Sequence, residues 1–207
     1  MANFNEQQQA EALKAWWRKY GTWIMLAIAI IAIVIAGIRF WHKHTFVEDE
    51  NAGNAYEQLL IDVTKQDNTS AMAQAQAIVK NYPRTGYADL AAMLLAKNYA
   101  DQNNLTQAAH WLEWTITHGH NPQWRAISTL RLARIRIAQG QPQKAIAMLN
   151  NPPKGFGSAF YVTQGDAYVA LHQSLKAKNA YEVALKGLPA HSGNRQMILL
   201  KLSGVSS

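Results

Sequence analysis

The chain has 207 residues, a formal charge of +7 and no cysteine. The missing cysteines exclude disulfides, thiol nucleophiles and cysteine-based zinc sites. After an apolar N-terminal segment of roughly 45 residues, about 160 remain, enough for one domain with a continuous core. Fifteen of the twenty Lys and Arg but only eight of the thirteen Asp and Glu fall from Asn51 onward, so the basic excess sits in that domain.

The first element is the run "WWRKYGTWIMLAIAIIAIVIAGIRFWHKH", uncharged from Tyr20 to Ile38. At a rise of ~1.5 Å per residue a helix of that length covers about 28 Å, close to the ~30 Å hydrocarbon core of a bilayer. A secretory signal has a shorter apolar region and a small-residue cleavage site. This run ends instead in "RFWHKH". Trp16, Trp17, Tyr20 and Trp23 at one end and Phe40 and Trp41 at the other suit two membrane interfaces. The segments are therefore residues 1–19 before the membrane, 20–38 as a retained transmembrane helix, 39–50 as a juxtamembrane linker and 51–207 as the domain. Lys14, Arg18 and Lys19 precede the span, and Arg39 and Lys43 follow it. That three-to-two bias favours a cytoplasmic N-terminus and a domain outside the cytoplasm.

Beyond the span the pattern is all-helical. Apolar residues recur at three and four, as in Leu90, Met93, Leu94 and Ala96, and no stretch sustains the two-residue alternation of a strand. Breaks at "QDNTS", "NYPRTG", "DQNN", "THGHNP", "AQGQPQ", "NNPPKGFG" and "GLPAHSGN" separate helices expected to be mostly 12 to 18 residues long, which pair into hairpins. Three units align on these breaks and resemble tetratricopeptide repeats, in which small residues let paired helices approach and large ones fill the gap to the next pair. They contribute Leu95, Ala96, Tyr99, Ala108 and Leu112; then Leu132, Ala133, Gly140, Ala145 and Leu149; then Gly165, Tyr168, Ala177, Tyr181, Ala184 and Pro189. Their spacing is 37 and then 32 residues, where 34 is typical, and Arg136 stands where an aromatic is usual. "NAYEQLLIDV" with "AMAQAQAIVKNYP" forms an upstream hairpin, and "NRQMILLKL" forms a closing helix. The fold class is an α-solenoid of helical hairpins behind one transmembrane helix.

Chemistry-bearing motifs are scarce. His118 with His120, and His42 with His44, lack both the i, i+4 spacing and the nearby carboxylate of a zinc site, and read as loop and interface polarity. No phosphate-binding glycine loop or G-x-S-x-G occurs, and eight acids leave few carboxylate pairs for acid–base work. Neither enzyme activity nor a cofactor is expected. Arg131, Arg134 and Arg136, with Trp124 and Arg125 upstream, form the best candidate for nucleic-acid contact. On a helix, however, Arg131 and Arg134 share a face opposite Leu130, Leu132 and Ile137, as a solvated face would. Trp111 and Trp114 are expected between hairpins. First helices of successive hairpins line a concave surface in such stacks, which makes Met93, Lys97, Asp101, Leu130, Arg134, Val162 and Asp166 the candidate partner-binding residues.

The order "EALKAWWRKYG", one span, "AYEQLL", "YADLAAMLLAK", "LRLARIRIAQGQPQKAIAML" and "MILLKLSG" resembles the YfgM family of membrane-anchored ancillary subunits of the bacterial SecYEG translocon. The resemblance implies a single-pass protein of the bacterial inner membrane with a periplasmic repeat domain. Its implied partners are SecYEG, the periplasmic chaperone PpiD and exported client proteins, with lipid met only through the anchor and no nucleic acid. A cytoplasm-facing adaptor that uses its basic face on anionic lipid or nucleic acid is the alternative that charge alone leaves open.

Overall fold

A computed structural model describes residues 2–189 and 191–206. Its first helix, α1, runs over Ala2–Thr64. The chain divides into two compact units between Glu48 and Asp49. In the first unit, Trp16–Gly37 is long and apolar enough to cross a membrane. Its described side chains are exposed, Trp23 and Ile33 most of all, at 73% and 71%, as in a helix whose neighbours are lipid. Gly21 is the buried exception, tucked against the Trp17 ring. The side chains of Phe40, Trp41, His42, Lys43 and His44 lie outside the described residues.

The second unit takes the last turns of α1 and then α2 (Asn68–Asn81), α3 (Gly86–Asp101), α4 (Leu105–His118), α5 (Pro122–Ala138), α6 (Pro142–Met148), α7 (Gly157–Ala170), α8 (Ser174–Lys186) and α9 (Asn194–Ser206). Each helix packs on the next from α2 to α9, and α3, α5 and α7 also touch in series. That is the contact pattern of a solenoid, in which each hairpin meets only its neighbours. Short polar side chains start several helices by taking up otherwise unpaired N–H groups. Asp67 accepts from Ser70 N at 3.1 Å, Asn104 from Gln107 N at 3.2 Å and Asn121 from Gln123 N at 2.8 Å, with Pro122 preset for the first helical position.

The repeat is written most plainly in the backbone of the hairpin turns. Gln66, Asn103, Gly140 and His172 all have φ between 57° and 73°, in steps of 37, 37 and 32 residues. Each sits in the same closure, with the following N–H donating to the carbonyl five residues back: Asp67 to Asp62, Asn104 to Tyr99, Gln141 to Arg136 and Gln173 to Tyr168, all at 2.8–3.0 Å. This is the Schellman end of a helix, which favours glycine because a Cβ crowds the left-handed conformation. The upstream hairpin of α1 and α2 therefore belongs to the same series as the other three.

Small residues sit where hairpins close. Ala96, Ala108, Ala133, Ala145, Ala177 and Ala184 are all buried. At Gly165 on α7, an added Cβ would stand 2.6 Å from Tyr181 Cδ1 of α8, so the glycine is what lets that ring lie across the helix. Trp111 and Trp114 are half-buried and pack against the core of Leu59, Ile78 and Leu95, between the first two hairpins as expected. One expectation fails: α6 has seven residues, not 12 or more. Asn150, Asn151, Pro152 and Pro153 follow almost at once, and a residue ahead of a proline is pushed out of the helical region.

Candidate partner-binding groove

The seven candidate residues do not share one surface. Met93, Leu130 and Val162 are buried at 6%, 8% and 5% exposure, inside the stack. As corrections to the expected contact face, these three are packing residues. Their backbone is on the first helices as anticipated, but each side chain turns inward to its own hairpin or its neighbours, and Leu130 and Val162 belong to core clusters.

Asp166 is committed to the fold. Its Oδ1 accepts the Tyr181 hydroxyl at 2.7 Å and the Lys201 ammonium at 2.6 Å, which joins α7 to α8 and α9. Burial, and then the hydrogen bond and charge of Asp166, push the Tyr181 phenol well above its usual range, so it stays protonated and donates.

Lys97, Asp101 and Arg134 remain at the surface, and a groove brings them together. About 310 Å³ of open space lies between α3 and α5, with Ala96, Ala100, Leu112 and Ile135 as its apolar lining and Lys97, Asp101, Arg131 and Arg134 as its charged lining. Lys97 and Asp101, one turn apart on α3, form an exposed ion pair at 2.6 Å. Exposed pairs of that kind contribute little to stability, ~0.3–0.5 kcal/mol. Arg131 and Arg134 are both exposed and make no ion pair among the described residues. The groove thus carries an excess of two positive charges, three cations against one carboxylate. A second recess of about 240 Å³ opens on the other side of Lys97, between α2 and α3, and includes Val63, Met72 and Leu94.

Arg131 is the groove residue that the repeat register alone does not select; its signal is its position three residues before Arg134, on the same face of α5. Arg136 takes a different course, pairing with Glu113 of α4 and donating to Gln139 Oε1 at 2.9 Å. It replaces the usual aromatic with a polar tie between hairpins. Arg125 is exposed and Trp124 half-buried, so the five residues of the basic stretch do not form one nucleic-acid face.

His118 stacks on Trp114, with ring centroids 5.2 Å apart, and His120 is exposed in the next loop. No group of three or more His, Cys, Asp or Glu side chains fit for a metal ion occurs among the described residues. Asp89 on α3 is a buried acid that the sequence reading passed over. It is 1% exposed, and neither oxygen has a hydrogen-bond partner of ordinary geometry. Burial raises its pKa, opposed by the backbone N–H groups of Asn121 and His120 and by the charges of His120 and Arg125. A Cβ on Gly119 would lie 2.8 Å from Asp89 Oδ1, so the glycine admits the carboxyl beneath the α4–α5 loop.

The profile of the family described as a tetratricopeptide repeat-like domain matches residues 14–207. Three relatives share its whole length, and each is called an ancillary SecYEG translocon subunit. The one from Escherichia coli is 28% identical, covering 96% of this chain and 97% of its own. That of Haemophilus influenzae is 26% identical over 98% of both, and that of Neisseria gonorrhoeae 22% over 99% of both.

Proposed function

The chain belongs to the tetratricopeptide-like YfgM family of ancillary SecYEG translocon subunits, and from that membership we propose that it is a single-pass scaffold of the bacterial inner membrane that acts by binding. The observation that carries this reading is the end-to-end match, which includes the apolar segment as well as the repeats. The N-terminus is cytoplasmic and the repeat domain periplasmic, in keeping with the charge bias across the span. The domain associates with SecYEG and with a periplasmic chaperone such as PpiD, and helps to handle exported proteins as they emerge. Tethering beside the channel raises local concentration, so individually weak contacts suffice. Stacked hairpins supply an extended surface whose residues vary without loss of the core.

Photo-crosslinking in intact membranes tests this. Probes at Lys97 and Arg134, both exposed, are expected to capture translocon subunits or a periplasmic chaperone, and a C-terminal reporter should be active only in the periplasm. Capture of cytoplasmic proteins alone would sink the reading in favour of a cytoplasm-facing adaptor. So would retention of the partners by the anchor after the repeat domain is deleted.

A further inference from the structure

We propose that the groove between α3 and α5 seats an extended acidic segment of a protein partner, its side-chain carboxylates on Arg131 and Arg134 and its apolar side chains against Ala96, Ala100, Leu112 and Ile135. This rests on the scaffold reading and gives the partner a chemistry.

Three observations carry it. First, the two guanidinium groups project from one face of α5, about 4.5 Å apart along the axis, and neither is neutralised by a described acid. The one carboxylate in the groove, Asp101, is held by Lys97. An arginine presents a planar fork of donors that matches carboxylates in pairs, and such charge-assisted bonds are about twice as strong as neutral ones. Second, acidic residues at alternate positions of an extended chain recur every ~6.6 Å, within reach of two long side chains one turn apart. Third, the space is narrow. About 310 Å³ admits side chains from one extended strand but not a helix of ~10–12 Å diameter. Single-stranded nucleic acid is a poorer match, because its bases stack on aromatic rings and none lines the groove.

The test uses the full chain in nanodiscs of zwitterionic phosphatidylcholine and the anisotropy of fluorescein-labelled hexapeptides with amidated C-termini. The probe is Leu-Asp-Val-Asp-Leu-Glu, and its neutral twin is Leu-Asn-Val-Asn-Leu-Gln. The acidic peptide should bind at least about tenfold tighter than the twin, with an advantage that shrinks as salt rises from about 50 to about 300 mM. R131Q with R134Q should remove that advantage, whereas K186Q, a surface charge on α8 away from the groove, should keep it. Both arginines are exposed, so the double variant should fold, with unchanged helical circular dichroism. R131E with R134E should turn the preference toward Leu-Lys-Val-Lys-Leu-Lys. Equal binding of acidic and neutral peptides, persistence of the advantage in R131Q/R134Q, or its loss in K186Q would each overturn the proposal. Loss of the advantage when phosphatidylglycerol replaces phosphatidylcholine, without any change in salt, would mark the arginines as lipid contacts and overturn it too. The assay contains no translocon, so these failures leave the scaffold reading standing, whereas failure of the crosslinking removes that reading whatever the peptides do.

Discussion

The hairpin of α7 and α8 and the hairpin of α5 and α6 are neighbours in one stack, yet they are built differently. In the first, Gly165 admits the Tyr181 ring, Ala177 and Ala184 close the helix pair, and Asp166 gathers a hydroxyl from α8 and an ammonium from α9. Nearly every distinctive residue there is spent on packing. In the second, α6 stops after seven residues and has no side-chain cap, and the buried Ser128 Oγ and Gln141 Oε1 have no hydrogen-bond partner. Its arginines face outward, into the groove on one side and toward Glu113 on the other. Fidelity to the repeat pattern marks where the stack is held together, and departure from it marks where the surface is free to acquire chemistry.

The sharpest way to break this contrast is at Tyr181. Truncation to Ala should cost about 3–5 kcal/mol, the scale for loss of a buried aromatic side chain, and it strands Asp166 with Lys201 alone. Chemical denaturation of the full chain in detergent measures it; a loss below about 1 kcal/mol would mean that the regular hairpin is not the better packed of the two. Next in size, Gly165→Ala and Ala177→Leu should each cost about 1–3 kcal/mol by overpacking, because each adds atoms where the helices already touch. If neither shifts the thermal midpoint, α7 and α8 do not meet at these positions.

The turns offer a change of opposite sign. His172 occupies the left-handed position that Gly140 fills in the hairpin before it. His172→Gly should stabilise by about 0.5–1 kcal/mol, the Cβ strain relieved less the extra freedom of glycine when unfolded. Destabilisation in the same unfolding assay would contradict the shared closure.

The smallest expected effect is at Asp89, and it is a slope. Its folded pKa lies above its unfolded one, so the folded state binds the proton more readily. The contribution of this residue to stability is greatest in acid and declines as pH rises through the unfolded and then the folded value. The stability of the parent relative to Asp89→Asn should therefore fall as pH is raised from the carboxylate range to neutral. A difference independent of pH would mean that the carboxyl is not buried when charged.

Most of the architecture was legible because turns and small residues are local signals. The breaks at "DQNN" and "AQGQPQ" are the turns at Asn103 and Gly140, and the alanines picked out for close approach are buried. The surface was less legible. In α3 and α7, apolar or small residues cover much of the helix circumference, and one residue step turns a side chain by ~100°, so spacing does not say which of Met93, Leu94 or Lys97 meets water. Leu130 is inside and Arg131 beside it is on the groove. Asp166 looked like a contact residue because its partner Lys201 is 35 positions away, a distance at which periodicity is silent. Asp89 was invisible for the same reason, since what covers it comes from the loop after α4.

The tie from Lys201 to Asp166 bears on how the stack comes apart. A linear array of repeats ordinarily frays from its ends, where a hairpin has a neighbour on one side only. Here the last helix is fastened by that ion pair and by the fully buried Ile198, while the first hairpin begins on a helix that continues upstream. The segment with least to hold it is internal, at the seven residues of α6. Local opening then begins mid-stack, and amide hydrogen exchange should be faster in α6 than in α8 or α9. The domain would behave as a hinged pair of blocks whose joint borders the arginine groove.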